Sequence, residues 1–235
     1  MKRLVSQIWT LAALTASAQS PSMAPTPLQP APQDSAQLQL RQARGALFDN
    51  LFGVTGDQVA PPIEARDAPP VMTSHQLGDM GELPGAFADT ILIGLVVNSQ
   101  AFQSNNHTAI YTEATVAVQQ VFSQQGAYAV AGGSIVFVQI GGSITLPGGR
   151  VLTHISMGLG NQFQQGERYA FFLTYVSKAQ CYKLTKAWLL QGGEVVAVAA
   201  DDLARVHNGT SQVNGIPETT LITILKSLQA SYKVQ

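Results

Sequence analysis

The sequence predicts a mainly β domain with a C-terminal helix, and three observations carry that reading. From about residue 83 onward, apolar and β-branched runs recur with turn signals at intervals of roughly 8 to 12 residues. No helical crossover pattern separates these runs, which disfavours a parallel sheet. The last stretch, IPETTLITILKSLQASY, switches to helical spacing.

The elements follow in order. DTILIGLVV, residues 89–97, is aliphatic and β-branched and stops at Asn98-Ser99. IYTEATVAVQQVF, residues 110–122, alternates, with Ile110, Thr112, Ala114, Val116, Val118 and Phe122 on one face and Tyr111, Glu113, Thr115 and Gln119 on the other. At about 3.3 Å per residue this run would extend for roughly 40 Å, far beyond an ordinary strand, so it must bend through a bulge and serve two parts of a curled sheet. SIVFVQI (134–140) and RYAFFLTY (168–175) are apolar on both faces, as interior strands are. KLTKAWLL and EVVAVAA flank Gln191-Gly192-Gly193 and form a hairpin.

The C-terminal helix is placed over 217–231. Pro217 suits the first helical position, Glu218 the positive end, and Leu221, Ile222, Leu225 and Leu228 make one apolar stripe. Together these elements predict a small OB-like β-barrel over residues 83–235, with a β-sandwich as the alternative.

The chain opens MKRLVSQIWTLAALTASAQS, with Lys2 and Arg3 before an apolar run too short to span a bilayer and Ala16-Ser17-Ala18 at its end. This reads as a signal peptide over 1–18, and the protein is expected to be secreted or periplasmic. No later segment reaches the roughly 18 apolar residues of a membrane helix, so no integral membrane segment is expected after cleavage. Residues 19–82 read as a Pro- and Gln-rich linker. PSMAPTPLQPAPQDS has too little apolar surface to offset its ordering entropy, while Leu38, Leu40, Ala43, Leu47 and Leu51 suggest one short helix over 38–52. Pro61-Pro62 and Pro69-Pro70 interrupt regular structure after it.

The single cysteine, Cys181, leaves no intrachain disulfide, so the fold must rest on its apolar core. Cys181 reads as a buried, inert thiol, with an intermolecular disulfide or a nucleophile as alternatives. A formal charge of -1, with 11% charged residues and no basic block, argues against nucleic acid as a partner.

Four pieces read together, ADTILIGLVV, IYTEATVAVQQVF, GGSITLPGGRVL and GERYAFFL, resemble a group of uncharacterised secreted bacterial β-rich proteins over residues 83–176. More distantly, the order of an "AD, apolar strand, Gly" opening and a late "GE, Tyr, apolar strand" is similar to netrin-like and metalloproteinase-inhibitor domains, which are OB-type barrels. The resemblance implies export and a barrel, and carries no catalytic residues. Those domains are anchored by cysteines that this chain lacks, so it does not extend to inhibition.

The segment most like a ligand motif is GGSIVFVQIGGSITLPGGR, residues 132–150. A phosphate loop needs a helix after its glycines, and strands follow here, so the glycine pairs read as turn punctuation, the repeated GGSI as two hairpin entries, and Pro147 to Arg150 as an exposed tip. MGLGNQF (157–163) has only two glycines of a dinucleotide fingerprint and reads as a loop. No cofactor is therefore expected. His75, His107, His154 and His207 include no pair three or four residues apart, and no metal site is expected.

The polar candidates are few. Asp201-Asp202, with Arg205, His207 and Asn208, reads first as a solvated turn with Asp capping a short helical turn; the alternative is a divalent cation or an acid–base pair. Glu113 sits mid-strand on the polar face and would need a partner if that face were buried, for which Arg150 is available. Two functions remain. One is an exported, non-catalytic β-domain that binds a protein or envelope component. The other is a small extracytoplasmic hydrolase or ligand-binding barrel gathering Glu113, Arg150, His154, Asp201 and Asp202 from distant strands.

Overall fold

In the computed structural model of this chain, residues 26–27, 34–49, 81–124, 129, 131–147, 149, 151–154 and 163–232 are described. The segment read as a signal peptide, most of the Pro-rich stretch, Arg150, His75 and residues 157–162 lie outside them. The strands are β1 (Thr26–Pro27), β2 (Thr90–Gln103), β3 (Ile110–Gln124), β4 (Ser134–Ile140), β5 (Gly142–Thr145), β6 (Val151–His154), β7 (Arg168–Val176), β8 (Cys181–Gln191) and β9 (Glu194–Ala197). The helices are α1 (Ser35–Ala46), α2 (Ala200–His207) and α3 (Glu218–Tyr232). No helix among the described residues is long and apolar enough to cross a membrane.

The main sheet runs β4-β3-β2-β7-β8-β9, and β4 also pairs with β8, in parallel, through Phe137↔Tyr182 and Val138↔Lys183. Five strands thus close on themselves in a barrel-like ring. The inward faces supply one cluster, including Leu92, Val96, Val116, Phe137, Phe163, Phe171 and Leu184. Phe163 seals it from a loop, its ring 4.9 Å from that of Phe137 and edge-on to it.

Bulges let long strands follow the curve, and they change which residues face inward. The β2–β3 register shifts at Ile91/Leu92 and Ile93/Gly94, leaving extra residues on β3. Simple alternation puts Phe122 on the face of Val118; instead Val118 points inward, and Phe122 joins an outer cluster with Trp188, Leu221 and Leu225. A third shift, at Val96/Asn98, carries β2 past Asn98-Ser99, where the sequence suggested a stop, to Gln103. On β8 the shift opposite Phe172/Leu173 leaves Thr185 unpaired, so Leu184 and Ala187 both face in while Lys186 and Trp188 face out.

Three layers cover the outside. α3 lays Leu221 and Leu225 over Ile91, Ile93, Phe172 and Trp188, and its first-turn Glu218 takes a two-pronged bond from Arg168 at 2.9 and 3.2 Å. α1 and the turn that follows it cover Phe102, Tyr111 and Val138 with Ala43, Leu47 and Phe48. The helix begins at Ser35 rather than 38, because Asp34 caps it by accepting the Ala36 N–H, and it ends at Ala46. The β5–β6 hairpin, with β1 along β5, packs Ile144 against Ala101 and Ile110. The second GGSI thus leads into the β5–β6 hairpin, although its glycine pair is not itself a hairpin turn, since β4 and β5 do not pair. Gly141 and Gly142, with φ of 103° and 135°, form a corner that takes the chain from the barrel into the smaller sheet.

The outer edge of β9 is closed by the chain's own return. Val195 N–H donates to Ile216 O, Gly215 N–H to Val195 O and Glu218 N–H to Gly193 O, with Pro217 opposite Glu194.

Gly94 marks the tightest strand contact. A Cβ there would lie 2.3 Å from Val116 Cγ1 and 3.0 Å from Ala117 O, and the second of these is backbone that cannot swing away. Gly94→Ala is expected to lower stability by about 1–3 kcal/mol in urea unfolding, the range for overpacking a filled core.

Candidate functional site

Five of the six polar residues singled out in the sequence lie among the described residues, and they are divided among β3, β6 and α2. Glu113 belongs to the β3–β4 face, Asp201 and Asp202 to the start of α2, His154 to the end of β6 opposite Gly142, and exposed His207 to the last turn of α2. Arg150 lies outside the described residues.

Glu113 is paired with Arg44 of α1, an arginine far back in the sequence. Arg44 Nη1 lies 2.6 Å from Glu113 Oε2, and both side chains keep only about one-seventh of their exposure (14% and 15%). The other carboxylate oxygen accepts from Tyr111 OH at 3.3 Å, and Arg44 Nε donates to Ala179 O. Aromatic groups frame the pair. Phe48 stacks on Tyr111 at 4.9 Å and 12°, Phe102 leans on the same ring at 5.8 Å, and the Arg41 guanidinium sits 4.3 Å above Phe102. Burial, then the adjacent Glu113 carboxylate, pushes the Tyr111 hydroxyl well above the usual tyrosine range, so it serves as a proton donor and not as a phenolate.

Beneath this layer Cys181 is buried, and burial pushes its thiol up to about 11 in spite of Arg44 nearby. A thiol so placed is protonated at neutral pH and a poor nucleophile. The end of α1 is held by the 104–108 turn: Asn105 Nδ2 donates to Gln42 O, and Asn106 donates to Asp49 through its backbone N–H and its side-chain amide. Gly45 makes this approach feasible, since a Cβ there would fall 2.5 Å from Asn105 Oδ1.

The second group corrects the reading of Asp201-Asp202 as a solvated turn. The two residues open the eight-residue helix α2, and Asp202 is fully buried against Lys186, itself only 2% exposed in the middle of β8. Lys186 Nζ donates to Asp202 Oδ1 at 2.8 Å and Gly81 O at 2.7 Å, and reaches the half-exposed Asp201 at 3.4 Å. Three acceptors match the three N–H bonds of an ammonium. Nearby, Trp188 Nε1 donates to Glu82 O, and the Glu82 carboxylate accepts from Ser211 Oγ and Gln212 N–H. The group therefore acts as a clamp joining β8, α2, the 81–82 segment and the 211–212 turn.

Two features escaped the sequence reading. Lys186 was visible only as a charge inside an apolar run, and Arg44 only as one of two arginines three residues apart on an amphipathic segment. No group of three or more His, Cys, Asp or Glu side chains suited to a metal occurs among the described residues.

Burial, opposed by Lys186, pushes Asp202 up to about 6 from 3.8. The folded chain then holds this proton more tightly than the unfolded one. The stabilisation is full below about 3.8 and is lost as pH rises through about 6. Urea midpoints between pH 4 and 7 are expected to show this decline, and Asp202→Asn to remove it. Lys186→Met, which strands the carboxylate, is expected to cost about 3–5 kcal/mol at pH 7 and less near pH 4.

Comparison with models of known families finds no match to this chain, and comparison with curated proteins finds none either.

Proposed function

We propose that this chain is an exported, non-catalytic binding module built on an OB-type barrel, and that it engages a protein or cell-envelope component through the β3–β4 face. The observation that carries the reading is the surface around Glu113 and Tyr111, which already holds a helix of its own chain by stacking, cation–π contact and an ion pair. Stacked rings and a guanidinium–carboxylate pair are the usual anchors of macromolecular recognition.

The barrel assignment is supported by the ring order β2, β3, β4, β8, β7, in which only the β4–β8 neighbours run parallel. OB barrels have this arrangement, with the third strand beside the fifth, and they use the face of their second and third strands for binding. Those strands are β3 and β4 here. Export is supported by the basic, apolar, Ala16-Ser17-Ala18 opening. A binding role is further favoured because Lys186 and Glu113 are engaged in contacts that hold elements of the fold together, Lys186 with Gly81 O and Asp202 and Glu113 with Arg44 and Tyr111.

The test is affinity capture with the full chain and with Glu113→Ala. A partner retained by the original chain and lost with the variant supports the reading; equal retention by both assigns binding to another face. Expressed in a secreting bacterium, the chain is expected outside the cytoplasm with Gln19 at its N-terminus. Cytoplasmic retention of an uncleaved chain overturns the export half.

A further inference from the structure

α1 meets the barrel as a ligand meets a receptor. At 12 residues it is near the length at which an isolated helix is marginal in water, and Gly45 weakens it further, so its order comes from the surface beneath. Its anchors are Arg41 on Phe102 and Arg44 on Glu113 and Ala179 O, joined by Phe48, in the turn just past its end, on Tyr111. Without the helix that surface presents Phe102, Tyr111, Val138 and Cys181 as one apolar patch with a carboxylate at its margin, a face that requires a cover.

Residues 50–80 join α1 to the barrel and can span at most roughly 100 Å when extended, many times the spacing between neighbouring elements. The contour length alone thus lets the helix of one copy reach the face of another, with its own barrel favoured by effective concentration.

We infer that the β3–β4 face is a receptor for an amphipathic helix that carries arginines and is followed at its C-terminal end by a phenylalanine, filled in cis by α1 and, in a reciprocally exchanged dimer, by α1 of a second copy. This deepens the reading of that face as the binding surface and rests on it. The exchange is isologous, since each copy gives the helix that it receives, so it closes at two and does not propagate into a filament. Any external partner must then displace α1 and offer the same chemistry.

Cys181 reports the state of the face. It is the single cysteine, 1% exposed, in the cluster that α1 covers. Full-length Arg44→Glu and Glu113→Arg each place like charges across the α1 contact. Each alone is expected to react with a thiol reagent at least about tenfold faster than the original chain, as local opening exposes the sulfur, and the double variant to recover protection. An equimolar mixture of the two single variants is expected to form a dimer by light scattering, with slowed labelling, because exchange restores one original and one reversed pair.

A peptide of residues 34–49 added to Arg44→Glu provides a second measurement should Glu113→Arg fail to fold, and it is expected to slow labelling in trans. The inference is overturned if the single variants label like the original chain, if the mixture stays monomeric, if it dimerises without protecting Cys181, or if saturating peptide leaves labelling unchanged. These readouts need no external partner, so their failure is distinct from failure of the capture experiment.

Discussion

Closure of the ring at β4 and β8 is the constraint on which the remaining structure depends. The seam is short, two residue pairs in parallel register, yet it converts an open sheet into a surface with a sealed inside. Once sealed, the interior admits only side chains that fill it, and every strand must curve to stay in the ring. The bulges on β2, β3 and β8 follow from that demand, because strands of 14, 15 and 11 residues cannot remain straight around so small a perimeter.

The outside of the ring is too apolar to face water, and helices cover it. Each of the three α-helices among the described residues carries an ion pair to a strand: Arg44–Glu113 for α1, Asp202–Lys186 for α2 and Glu218–Arg168 for α3. Apolar contact gives adhesion without fixing register, since a greasy stripe slides with little penalty. A buried charge is tolerated only opposite its partner, so it selects one seating among many at some cost in desolvation. The polar residues first considered for chemistry thus act as alignment pins, and those of α1 alone lie on a helix joined to the barrel by a long connection.

Much of this architecture was legible in the sequence. The hairpin at Gly192-Gly193, the C-terminal helix and the apolar strands were each signalled by local patterns that the structure reproduces. What was hidden depended on long-range events. Phe122 and Lys186 face as they do because of bulges, and a bulge moves side chains to the opposite face without leaving a mark in composition. The Glu113–Arg44 contact joins residues 69 positions apart, and nothing local to either identifies the other. Asp201-Asp202 has the composition of an exposed turn, and only the lysine brought outward on β8 explains why Asp202 is buried.

The returning segment at β9 bears on how copies of the molecule meet. A sheet that grows strand by strand ends in a row of unpaired amides, and such a row accepts any extended chain that drifts against it. Here residues 214–218 occupy that row, and Pro217, having no N–H, stops the ladder from passing to another chain. The protein ends its main sheet with its own thread, just before the chain turns into α3. Association through stacked β9 edges is thereby blocked, and the main sheet keeps its boundary without help from a second molecule.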